Sequence, residues 1–114
     1  MNTESARIID QEIPAMHNVV MNIPSIPGTT QDQFESVCPR VFISLVACLP
    51  GLVRADHQRI GPGEDGAFHV LSSLIFPSES EVRFALSSME WVELLDETAD
   101  TLDWDAMQWT SPVG

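Results

Sequence analysis

A chain of 114 residues, 44% hydrophobic and 19% charged, has the size and composition of one soluble domain. It is large enough to bury a core and small enough to gain from pairing with a second copy. Its 17 acidic residues against 5 basic ones give a net charge of −12, which repels phosphate backbones and anionic lipid and argues against nucleic-acid and membrane partners.

No apolar run approaches the ~20 residues that span a bilayer. The polar start MNTESARIIDQE lacks the apolar core of a secretory signal, so the expected location is cytoplasmic. Residues 1–14, ending at Pro14, read as a flexible arm ahead of one domain over residues 15–114. Residues 15–23 (AMHNVVMNI) read as the first strand, with His17, Val19, Met21 and Ile23 on one face. Pro24 and Pro27-Gly28 end it in a turn.

Residues 28–51 form the first helix. Thr29 or Thr30 caps it, and Asp32 favours its first turn. Phe34, Val37, Val41, Leu45, Cys48 and Leu49 recur at helical steps as an apolar face, widened by Phe42, Ile43 and Val46. Pro39 removes one helical hydrogen bond, so a bend or break is expected over residues 35–38. Pro50-Gly51 stops the helix. Cys38 and Cys48 on such a helix lie about 15 Å apart along its axis, too far for a disulfide within the chain; both read as small buried apolar residues. No Cys/His spacing suggests a metal site.

Residues 52–60 (LVRADHQRI) form a second strand of mixed polarity. GPGEDG over residues 61–66 is a hairpin loop. Residues 67–76 (AFHVLSSLIF) form the most apolar strand. A second helix begins at Pro77-Ser78, breaks at Ser87-Ser88-Met89, and continues over residues 90–102. The fourth strand centres on residues 106–110. The order β-α-β-β-α-β specifies an α+β, ferredoxin-like domain: a four-stranded antiparallel sheet with two helices on one face. Val20, Val70, Leu74 and Phe76 suggest that the other face is covered too, which a second copy stacking sheet on sheet would do.

Pro27-Gly28, Phe34, Leu49-Pro50-Gly51-Leu52, the hairpin from Arg59 to Gly66 and Ser88-Met89-Glu90-Trp91 occur in the order and spacing of one known family. Over roughly residues 16–112 the chain resembles the EthD-like proteins of the dimeric α+β barrel superfamily. That resemblance implies a homodimer with a pocket between each sheet and its helices. It also implies a small cofactor-free enzyme of polyketide or related pathways: a cyclase, dehydratase, decarboxylase or oxygenase. One departure concerns the chemistry. Many members carry H-x-P before the L-P-G, where this chain has Phe42-Ile43-Ser44. A plant polyketide cyclase of the wider superfamily uses histidines on the first strand, third strand and second helix. His17 and His69 match the first two, and Trp91 stands where the third would be.

His17, His57 and His69 are the only histidines, all on expected strands, and a side chain titrating near pH ~6.5 is the natural acid or base at neutral pH. His69 and His17 are the leading candidates for proton transfer. His57 and Arg59 share a strand face and are expected to meet His69 across the hairpin. Phe42, Trp91, Met21 and Ser73 are candidate substrate-lining residues beside Arg59. Asp56 adjoins His57 in sequence, but neighbours on a strand point to opposite faces. No nucleophile motif, phosphate loop or metal cluster appears, so neither cofactor nor metal is expected. Proton transfer on a hydrophobic carbonyl compound is the leading expectation. The alternatives are a ligand-binding or assembly dimer without chemistry and a cofactor-free oxygenase.

Overall fold

The structure, a computed structural model, describes residues 16–110; the arm expected over residues 1–14 lies outside them. In β1 (His17–Pro24) fully buried Met21 and Ile23 alternate with half-buried neighbours. In β3 (His69–Phe76) buried Val70, Ser72, Leu74 and Phe76 alternate with half-buried His69, Leu71, Ser73 and Ile75. These two strands pair antiparallel along their full length. β2 (Arg54–Ile60) flanks β3 and β4 (Gln108–Thr110) flanks β1, giving the order β2-β3-β1-β4, antiparallel throughout. This is the expected ferredoxin-like sheet.

The register sets the two faces. Val19, Met21 and Ile23 of β1, the even-numbered residues of β3, and Ala55, His57 and Arg59 of β2 share the helix side. The expectation that Val70, Leu74 and Phe76 help form the opposite face is therefore corrected: all three are core residues. The open face instead carries half-buried Val20, Leu71 and Ile75.

The first helix is built in three pieces: α1 (Gln31–Val37), a π-helical turn (Cys38–Phe42) and α2 (Ile43–Val46). Thr30 and Gln33 form a reciprocal capping box. The Gln33 N–H donates to Thr30 Oγ1 at 3.2 Å, and the Thr30 N–H donates to Gln33 Oε1 at 2.9 Å. Pro39 has no N–H, and the helix takes it up by widening: the Ile43 N–H donates to the Cys38 carbonyl, five residues back. The wide turn also resets the buried face. Phe34, Cys38, Phe42 and Val46 are the buried residues, in steps of four. In a pure α-helix each such step overshoots by about 40°, and the π turn absorbs the drift. Val37, Val41 and Leu45 are consequently half-buried, and Cys48 is exposed, with its thiol donating to the Ser44 carbonyl at 3.5 Å. The expected apolar face and the burial of Cys48 are corrected accordingly.

Gly51 follows the Leu49-Pro50 stop at φ 80°, where a Cβ would lie 2.6 Å from Glu81 Oε1. Only glycine makes this turn. The second helix breaks at Ser87-Ser88, as expected, into α3 (Glu79–Leu86) and α4 (Met89–Thr98), capped by Ser78 and Ser88. It ends before the expected residue 102, because Leu102 bridges to Ser25. A 3-10 turn (Trp104–Ala106) then leads into β4. No helix among the described residues is long and apolar enough to cross a membrane.

Candidate active site

Between the β2 edge and α1 lies a cavity of about 410 Å³, within the range of small-molecule sites. Phe34 and Phe68 form its apolar side, with ring centroids 5.1 Å apart and planes at 19°. The side chains of His57, Arg59, Glu35 and Gln31 supply its polar groups.

His57 is the one histidine on this cavity. Its Nδ1 lies 2.7 Å from Oγ of Ser72, the residue opposite it on β3, and Nε2 has no hydrogen-bond partner among the described residues. The Phe42 ring meets the imidazole edge-on, with centroids 5.5 Å apart. Burial pulls the His57 pKa below its ordinary value, against the opposing field of the Asp56 carboxylate. The ring is thus neutral at neutral pH and fixed at Nδ1, and in the tautomer whose Nδ1–H donates to Ser72 Oγ its Nε2 presents a free lone pair. That is the form a general base needs.

Two residues along the same strand face, Arg59 donates to Glu35 of α1. Behind the pair, burial pushes the Cys38 thiol up to about 11, with Arg59 opposing the rise and Glu35 adding to it. Cys38 is therefore a protonated, inert core residue at neutral pH. Asp56 points to the other face and pairs with Arg54 at 3.3 Å.

The remaining expected site residues do not gather here. His69 and Ser73 lie on the open face of the sheet, where His69 Nδ1 is 3.0 Å from Asn22 Oδ1 and the Ser73 hydroxyl donates to Asn18 at 2.8 Å. The expected meeting of His69 with His57 and Arg59 is corrected: β3 places Ser72, not His69 or Ser73, on their side. His17 shares the helix side but pairs with Phe76 at the start of β1, four residues from Met21, the partner of Ser72. That is about 13 Å along the strand. Phe42 and Met21 are fully buried and do not line the cavity. Trp91 packs on Trp104 and Trp109, with centroids at 5.5 and 6.0 Å, while Trp104 Nε1 donates to Thr98 Oγ1 at 2.9 Å. Phe42 adjoins the same cluster, 6.2 Å from Trp104.

Sequence reasoning missed Ser72, Glu35 and Gln31. Ser72 has the parity of Val70, Leu74 and Phe76, but Leu71 and Ile75 make the other face of the strand apolar too, so alternation does not select it over Ser73. Glu35 and Gln31 are exposed helix residues, and no pattern distinguishes them from a solvated face. Among the described residues, no three His, Cys, Asp or Glu side chains are placed to hold a metal ion.

No family model matches the chain, and no curated protein matches it significantly. Solved structures do. An ethyl tert-butyl ether D (EthD) family protein of Bacillus halodurans superposes with a TM-score of 0.63 at 13% identity, over 83% of this chain and 97% of that one. The fold is that of the EthD-like, dimeric α+β barrel proteins. SnoaB, a cofactor-independent oxygenase of Streptomyces nogalater, superposes at 0.55 with 16% identity over 82% and 89% of the two chains. A Chloroflexus aurantiacus protein described as an antibiotic biosynthesis monooxygenase does so at 0.55 and 16%, over 87% and 94%. These likenesses show a shared fold, and in this chain its helix side holds the cavity with His57.

Proposed function

We propose that the protein is a small cofactor-free tailoring enzyme that transfers a proton on a hydrophobic, polyketide-type carbonyl compound. The observation that carries the reading is His57: a neutral imidazole held at Nδ1 by Ser72, bordering a cavity that Arg59 also lines. His57 would take a proton from the carbon beside the carbonyl. The carbonyl oxygen then becomes an enolate, whose charge the imidazolium formed at His57 would offset. The enolate can add to a second carbonyl, expel a hydroxyl or be reprotonated elsewhere, with imidazolium returning the proton. A screen of polycarbonyl compounds tests the reading: turnover that falls about 100-fold or more in His57→Asn supports a general base, and unchanged turnover excludes it.

Two other observations support alternatives. Phe42, Trp91, Trp104 and Trp109 pack as one aromatic cluster on the helix side, and Phe42 takes the place of the EthD-like helix histidine. This favours a ligand-binding dimer without chemistry, for which ligand affinity would be measurable and turnover absent. The likeness to the oxygenase SnoaB favours reaction of the enolate with dioxygen, which stoichiometric oxygen uptake would reveal. In each reading a second copy covers the open sheet face, where Val20, Leu71 and Ile75 present apolar surface.

A further inference from the structure

The cavity beside His57 contains an ion pair of its own. Arg59 and Glu35 are the only charged side chains among its lining residues, and each is a little under half exposed, 45% and 44%. A pair this wet contributes little to folding. A competing anion can therefore open it at small cost, releasing Glu35 to solvent. Replacing Glu35 would be favourable for a suitable ligand. The guanidinium fork matches a carboxylate in geometry, and the stacked rings of Phe34 and Phe68 shield one side from water, which strengthens a charge-assisted bond. Gln31 adds an amide donor for any remaining oxygen.

The charge of the whole chain sharpens the point. At −12 overall the surface repels acids, and Arg59 is the one cation on the wall of this cavity. We infer that Arg59 is the anchor for the carboxylate of a small organic acid, and that Glu35 is the group this carboxylate displaces. Glu35 then sets specificity: a neutral ligand must leave the ion pair in place, whereas an acid exchanges one carboxylate for another. The inference rests on the cavity being the site of the proposed proton transfer and names the charge by which its substrate is held.

The probes are naphthoate and its neutral analogue naphthamide, with binding to the full chain followed by calorimetry. Naphthoate is expected to bind about tenfold more tightly than naphthamide, the range of one charge-assisted bond. Glu35→Gln is expected to tighten naphthoate binding several-fold and leave naphthamide unchanged, because the competing carboxylate is gone. Arg59→Gln is expected to abolish the difference between the two probes. Both substitutions replace partly exposed side chains, and unchanged melting temperatures would show that the fold is kept. Equal binding of the two probes by the native chain, no measurable naphthoate binding, or weaker naphthoate binding in Glu35→Gln would overturn the inference. His57→Asn separates it from the catalytic reading, since it removes turnover and preserves the preference for acid over amide. Loss of that preference with His57-dependent turnover intact would sink the anchor alone.

Discussion

His57 and Cys38 show how burial sets reactivity in this domain. Because burial lowers the His57 pKa, protonation favours the unfolded chain. Above pH ~6.5 the imidazole is neutral in both states and contributes no pH dependence. As the pH falls below that value, the unfolded chain takes up the proton first, and stability is lost until the folded-state pKa is passed. Urea midpoints are expected to decline from pH 6.5 to 5 in the native protein and to decline less in His57→Gln; parallel declines would contradict the assignment. The thiols should separate as clearly. Exposed Cys48 is expected to be alkylated in minutes under native conditions. Cys38, buried and raised to about 11, is expected to react only on unfolding. Mass spectrometry of the peptides decides it.

At the scale of elements, the composite first helix carries most of the packing on the helix side. Its capping box is exposed, and Thr30→Ala should cost about 1 kcal/mol in denaturant unfolding. Phe42 is fully buried against His57 and Trp104, and Phe42→Ala should cost about 3–5 kcal/mol. The existence of this helix and its stop at Leu49-Pro50-Gly51 were legible from spacing alone, and Pro39 marked an irregular turn, which falls over residues 38–42 and not over the expected 35–38. The consequence of that turn was not legible. The π-helical widening moves burial from Val37, Val41 and Leu45 to Cys38, Phe42 and Val46, and no periodicity count at 3.6 residues per turn includes it. β3 posed a different problem. Leu71 and Ile75 alternate with Val70, Leu74 and Phe76, so both faces of the strand are apolar, and alternation could not decide which one the helices cover. The positions of Ser72 and Ser73, and of His69, depended on that choice.

For the whole molecule, the element order and the EthD-like motifs were sufficient to specify the ferredoxin-like sheet, because turn residues and strand lengths leave few topologies. The site was less legible. The Arg59–Glu35 pair joins residues 24 positions apart, and the neutral state of His57 comes from packing. The open face of the sheet makes a prediction of its own. If a second copy stacks there, Leu71→Lys should place a charge in the dimer interface and convert the protein to a monomer by light scattering, with helical circular dichroism retained. A native chain that is monomeric at micromolar concentration would contradict the dimer.

The central claim is that His57 acts as the base. The most direct test is the pH dependence of kcat/KM on a turned-over carbonyl substrate, compared between the native chain and Ser72→Ala. In the native chain, activity should rise with pH through an apparent pKa below ~6.5 and stay level through pH 8. Ser72→Ala should shift that apparent pKa and lower kcat, because Ser72 touches the imidazole rather than the substrate. An acidic limb with an apparent pKa above ~6.5, or a profile identical in Ser72→Ala, would contradict the account.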